Sequence, residues 1–183
     1  VTRAQLRAGQ SVLITGIGGG AALAAFNICK HFGCHTIVTS RHQWKLDKAL
    51  QLGASEGILD EGEDWSKTVR ELTGKRGVDV CVDSVGGQLH HPCIKSLSRG
   101  GTLVTCGCTA GATPKTDLAR IFWNQLSILG STMGDMGEFH EAISLFKNGM
   151  EPVIDSIHDA DDAASAFARL ESGEQFGKIV LKW

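Results

Sequence analysis

Tyrosine does not occur among the 183 residues, which excludes any mechanism that relies on a tyrosine proton donor within this chain. Prolines number only three, and no proline-rich linker, internal repeat or low-complexity segment divides the sequence. No apolar run approaches the ~20 residues that span a bilayer. Arg3, Gln5, Arg7 and Gln10 interrupt the opening stretch, where a signal peptide would need an unbroken apolar centre. A cytoplasmic location is therefore expected. The net charge of −2 carries no basic excess of the kind that grips nucleic acid or an anionic membrane, and Lys75-Arg76 reads as a solvated turn. Six cysteines form no CxxC pair and seven histidines no HExxH, so no metal is expected in this chain. Buried free thiols are expected instead, with Cys106 and Cys108 alternating along a strand.

What is present is an ordinary globular composition, 42% hydrophobic and 21% charged, with length enough for one sizeable core. The chain is organised around residues 11–25. Val12 to Thr15 is an apolar, β-branched run, Gly16 to Gly20 holds four glycines in five positions, and Ala21 to Phe32 reads as an alanine-rich helix. Strand, glycine turn, helix is the order that leaves free N–H groups aimed at an anion, with no Cβ to hold a phosphate away. The pattern Gly16-x-Gly18-x-x-Ala21 fits a dinucleotide fingerprint with alanine in the third position. Glycine-rich turns also occur where a helix must simply lie close to a strand, so this pattern alone leaves both readings open.

Further along, helical and extended segments alternate. Val1 to Gly9 reads as the tail of a helix stopped by glycine. Strands are expected at His35–Thr39, Gly57–Asp60, Val78–Asp83, Thr102–Cys106 and Leu126–Gly130. Helices are expected at Gln43–Leu52, from a cap at Asp64 to Leu72, at Leu89–Leu97 and at Thr116–Gln125. This rhythm predicts an α/β fold, a doubly wound parallel six-stranded sheet. After Gly130 come helices at Glu138–Lys147 and Asp162–Leu170 and strands at Pro152–Ile157 and Lys178–Leu181, too few for an independent domain. The acids Asp155, Asp159, Asp161 and Asp162 are read as helix caps and first-turn charges.

In such a sheet the second strand selects the nucleotide, since a free ribose 2′-hydroxyl wants an acid at its end and a 2′-phosphate repels one. Here the chain reads Thr39-Ser40-Arg41-His42, with no acid until Asp47. NADP(H) is favoured over NAD, and S-adenosylmethionine is disfavoured for the same reason. Ser40, Arg41 and Lys45 are the candidates for the 2′-phosphate, and each also reads as an ordinary exposed residue.

Seven ordered motifs carry a family resemblance: Thr15-Gly-x-Gly-Gly-Gly, Leu52-Gly-Ala54, Arg76-Gly-Val-Asp79, Asp83-Ser-Val-Gly-Gly87, Arg99-Gly-Gly-x-Leu103, Leu129-Gly-Ser-Thr-Met133 and Phe176-Gly-Lys-Ile-Val180. From about Arg3 to its end the chain resembles the medium-chain dehydrogenases/reductases, and among them the quinone oxidoreductases and zinc-type alcohol dehydrogenase-like members. The resemblance implies a Rossmann domain over residues 1–133 and a short carboxy-terminal α/β extension over 134–183. It implies that Gly18, Gly19, Gly20 and Ala21 approach the pyrophosphate and that Ser84 and Val85 line the cofactor cleft. Gly107, Cys108 and Thr109 would meet the nicotinamide side, Ser131, Thr132 and Met133 would complete that wall, and Lys178 would stand near the phosphates. Packing is the competing reading for Cys108 and Met133. With Ala21 in the third fingerprint position, slightly wider helix-to-strand packing is expected.

Family members carry an amino-terminal substrate domain that supplies most catalytic zinc ligands. Since this sequence starts at Val and reaches its cofactor strand after ten residues, it reads as a piece lacking that domain. Residues from Glu138 onward, which in the family rejoin it, would then expose apolar surface. The resemblance implies hydride transfer between NADP(H) and a quinone, enone, aldehyde or alcohol, a small-molecule substrate, and a homodimer joined at the Leu126–Gly130 edge. A non-catalytic NADP(H)-binding sensor or interaction module is the other reading. A short-chain dehydrogenase is opposed by the missing tyrosine, and a methyltransferase by the missing acid after the second strand.

Overall fold

A computed structural model describes residues 1–183. Six strands, β1 (Ser11–Ile14), β2 (His35–Ser40), β3 (Glu56–Leu59), β4 (Val78–Asp83), β5 (Leu97–Thr105) and β6 (Ser127–Gly130), form one parallel sheet in the order β3-β2-β1-β4-β5-β6. Between them run α1 (Gly20–His31), α2 (Gln43–Gln51), α3 (Ser66–Leu72), α4 (His90–Ser96) and α5 (Leu118–Asn124). The chain winds outward from β1 to one edge and then returns to the other side of β1, which opens a crevice beyond the carboxyl ends of β1 and β4.

Both faces of the sheet are covered, which is why its central strands are apolar at nearly every position. Val12, Ile14 and Val80 pack with Leu23, Phe26 and Leu46 on one face. Leu13, Ile37 and Cys81 pack with Trp65, Val69 and Ile94 on the other. Helix α1 turns Ala22, Leu23, Phe26 and Cys29 inward, a single stripe at helical spacing. Ala21 is exposed, so the alanine there has no bearing on how α1 packs on the sheet, contrary to expectation.

Beyond β6 come α6 (Met136–Lys147), β7 (Ile154–Asp159), α7 (Ala163–Glu171) and β8 (Lys178–Lys182). Asp135 and Glu138 close a reciprocal capping box on α6. β7 and β8 pair in parallel as a separate two-stranded sheet. Phe139, Ile157, Phe167, Leu170 and Trp183 in this region are exposed. No helix is long and apolar enough to cross a membrane.

Several local expectations are corrected. Val1 to Gly9 forms turns, because Gln5 adopts a left-handed backbone (φ 49°) and the Arg7 amide donates to the Gln10 side chain at 2.9 Å, so no helix propagates. β5 begins at Leu97 and not at Thr102: Arg99-Gly100-Gly101 is a bulge inside the strand, opposite a register shift between Val78 and Val80. Cys106 and Cys108 lie beyond the end of β5 and are exposed, while Cys29, Cys81 and Cys93 are buried. The strand stops there because the chain passes over Ser84, where a Cβ on Gly107 would stand 2.8 Å from the Ser84 carbonyl oxygen. Asp155 caps no helix; its carboxylate is held by Arg169. Asp159 and Asp162 make no side-chain cap, and Asp162 instead accepts from the Ser165 hydroxyl at 2.6 Å.

Candidate cofactor cleft

The crevice predicted by the strand order is a cleft of about 800 Å³. Its floor is the turn from β1 into α1. Gly16 (φ 66°) and Gly18 (φ 109°) hold left-handed conformations open to glycine at little cost. Side chains there have no room: a Cβ on Gly16 would stand 2.9 Å from Val85 Cγ2, and one on Gly18 2.8 Å from Lys45 Cδ. The turn is tied to both neighbours of β1, through Ile17 N to Thr39 O at 2.8 Å and Thr15 N to Val82 O at 3.1 Å.

Helix α1 starts at this turn with no side-chain cap and no acid in its first turn. Its leading N–H groups thus remain available to an anion at the positive end of a twelve-residue dipole. The Lys178 ammonium lies over the same spot, since a Cβ on Gly20 would be 2.6 Å from Lys178 Nζ. Two like-signed devices converge where a pyrophosphate would lie.

The opposite wall hangs from Asp83, whose side chain is buried. Its carboxylate accepts from the Thr15 hydroxyl at 2.6 Å, from Val85 N at 3.0 Å and from Gly86 N at 3.1 Å. The turn after β4 is thereby bent back and clasped to the turn after β5, with Ala110 N donating to Val85 O and Gly87 N to Gly111 O. Gly86 and Gly87 permit that clasp, because Cβ atoms there would lie 2.8 Å from Gly111 O and 2.5 Å from Ala110 O.

At the end of β2, Ser40, Arg41 and Lys45 all line the cleft, as do Gly19, Val85 and Thr109. Lys45 is only 7% exposed, and its Nζ donates to Gly173 O at 2.6 Å; the surface reading of this lysine is corrected. Burial, and then the nearby Arg41 charge, lower its pKa. Ser84 sits under Gly107, and Cys108 beside Gly86. Ser131 N donates to Thr105 O at 2.9 Å, which brings the turn after β6 next to the end of β5. Met133 is 94% exposed with a left-handed backbone and does not line the cleft, and Ser84, Gly107, Cys108, Ser131 and Lys178 stand behind or beside the residues that do.

The cleft also uses residues that the sequence did not single out: His42, Asp60, Gln88, His91, Gly173 and Gln175. His42, Asp60 and Gln88 follow strand ends, a signal that could have found them. Gly173 and Gln175 arrive from the turn between α7 and β8, with no local pattern to mark them. No group of three or more His, Cys, Asp or Glu side chains comes together to hold a metal.

With this geometry in view, the sequence matches the family described as zinc-binding dehydrogenase over residues 20–148. The chain belongs to that family. It is 30% identical over 180 residues to an L-threonine 3-dehydrogenase of Shewanella frigidimarina, covering 96% of this chain and 52% of the relative. It is 29% identical to a zinc-type alcohol dehydrogenase-like protein of Leptosphaeria maculans, covering 95% of this chain and 51% of the relative. The chain thus spans about half the length of the curated relatives it matches. Among solved structures, an NAD-dependent alcohol dehydrogenase superposes with a TM-score of 0.89 at 34% identity, covering 100% of this chain and 54% of the other. The alcohol dehydrogenase of Aeropyrum pernix gives 0.84 at 31% identity, covering 98% and 52%. The chain therefore belongs to the medium-chain dehydrogenases/reductases and has the fold of their Rossmann domain.

Proposed function

We propose that this chain is the NADP(H)-holding part of an oxidoreductase that moves hydride between NADP(H) and a quinone, enone, aldehyde or alcohol. The observation that carries the reading is the end of β2, where Ser40 and Arg41 line the cleft with Lys45 and no acid follows before Asp47. A 2′-phosphate there meets cationic donors, whereas a carboxylate would repel it. Asp60 lies one strand further out and is engaged in its own turn, accepting from Gly62 N at 3.2 Å. One similar structure is NAD-dependent, so family membership leaves the nucleotide open and Arg41 becomes the deciding residue.

Hydride carriage is the chemistry that the dinucleotide supplies when bound. The chain's own residues bind and orient: the amides at the start of α1 and Lys178 hold the pyrophosphate, and Ser84, Gly107, Cys108 and Thr109 form the wall at the nicotinamide end. Ser131 extends that wall from the turn after β6. Substrate recognition and proton delivery come from the remaining half of the protein, which covers the apolar surface of α6, β7 and α7. The free edge of β6 pairs with a second copy, giving a homodimer. Titration calorimetry with NADPH and NADH side by side tests the nucleotide; tighter binding of NADH overturns it.

A further inference from the structure

The outer wall of the cleft comes from the far end of the chain. Residues 173–177, between α7 and β8, run as a strap across the glycine turn. On the cleft side it is fastened by Lys45 Nζ to Gly173 O at 2.6 Å and by Gly177 N to Gly18 O at 3.0 Å. Phe176 is buried between these points, beside Trp44 and over Gly18, where a Cβ would lie 3.3 Å from its ring. From behind, Asp155 Oδ1 accepts from Phe176 N at 2.8 Å, and Arg169 Nη2 donates to Glu174 O at 3.3 Å. Arg169 also grips Asp155 through two hydrogen bonds, each 3.0 Å long, the fork geometry that only arginine provides.

The strap has a consequence for Lys45. An ammonium has three donors, and one of them is fixed on Gly173 O. Its stem is wedged against Gly18, so the rotamer freedom of the side chain is spent on folding and not on ligand binding. The same wall holds Gln175, whose Oε1 is buried with no hydrogen-bond partner in the protein, a polar atom that a ligand donor would satisfy.

We propose that Arg169 is a positioning residue for cofactor choice: its grip on Asp155 holds the strap, and the strap holds Lys45 Nζ where a nucleotide 2′-phosphate meets it. The inference rests on the reading that the cleft takes NADP(H). Freeing the strap returns Lys45 to many rotamers and weakens the 2′-phosphate contact, while the amides at the start of α1 keep their grip on the pyrophosphate. NADPH therefore suffers more than NADH.

The test uses the intact 183-residue chain with NADPH and NADH as probes. In the wild type, saturating NADPH slows amide exchange across residues 173–178 by about tenfold and NADH by less than about threefold; equal slowing by both, or none with NADPH bound, overturns the inference. Arg169→Gln raises the Kd for NADPH by about tenfold and leaves that for NADH within about twofold, and Arg169→Lys, which keeps the charge without the fork, recovers only a minor part of the loss. Equal weakening of both nucleotides, or of neither, overturns it. Where Arg169→Gln fails to fold, Asp155→Asn/Arg169→Gln, which leaves no buried carboxylate without its partner, is measured in its place with the same outcomes. A wild type that prefers NADH sinks the nucleotide reading itself, before any variant is made.

Discussion

The Thr15 hydroxyl donates a 2.6 Å hydrogen bond to Asp83 Oδ1, joining the carboxyl ends of β1 and β4 across 68 residues of sequence. This buried carboxylate is satisfied by one hydroxyl and two amides, so it fixes both sides of the crevice at once. Thr15→Val removes the strongest donor and is expected to cost about 1–3 kcal/mol. Calorimetry should show a fall of about 2–4 °C in Tm per kcal/mol. Asp83→Ala should cost more, since it strands three donors. A Thr15→Val melting point within about 1 °C of wild type would contradict the role.

Gly18→Ala should impair nucleotide binding and stability together. Its φ of 109° is strained for alanine, and the new methyl would meet Lys45 Cδ at 2.8 Å, pushing the side chain off Gly173. We expect a loss of about tenfold or more in NADPH affinity with about 1–2 kcal/mol of stability. Fluorescence titration alongside urea unfolding separates the two effects.

Arg41→Ala should separate the nucleotides. A charge-assisted hydrogen bond of about 1.5–3 kcal/mol corresponds to about 10–100-fold in Kd for NADPH. NADH, which has no 2′-phosphate, should bind as before. Parallel titrations that weaken equally would remove Arg41 from the 2′-phosphate site.

How far the sequence reached follows from the range of the interactions. The strands were legible because apolar runs such as Val12–Ile14 bury both faces. The glycine turn was legible because four glycines in five positions leave few alternatives. The end of β2 was legible because strand order fixes what lies beyond it. The strap was not, since Lys45 and Gly173 meet across 128 residues and neither carries a local pattern. Asp155 reads as a helix cap because an acidic run near a helix start has the pattern of capping, and nothing local shows that Arg169, 14 residues later, returns to it. Met133 matches a family position, but its left-handed, exposed backbone has no signature in its neighbours.

Acid should weaken the extension early. Asp155 is lowered from 3.8 to about 2, first by its hydrogen bond with Arg169 and then by that from Phe176 N, against the opposing effect of burial. The native state therefore binds fewer protons than the unfolded one in this range. The pair's contribution is complete above the ordinary carboxylate value and is lost as pH falls toward 2. Asp155→Asn should flatten the stability profile between pH 4 and 2 relative to wild type, read by urea unfolding at each pH.

Ile128→Lys should break the proposed dimer. Ile128 lies on β6, which has a partner strand on one side only, and a lysine on such an edge disfavours strand addition. Sedimentation velocity on the full-length protein should move from dimer to monomer, and a wild-type protein that sediments only as monomer would remove the interface.

Gly18 and Gly177 meet backbone to backbone, so the polypeptide's last turns roof a pocket that its first turns floor. A recombinant fragment ending near residue 133 would keep all six parallel strands and still lack its roof. The dividing line between sheet and tail is thus a poor splice point. Any chimera that grafts this nucleotide grip onto another scaffold has to carry the tail along with it.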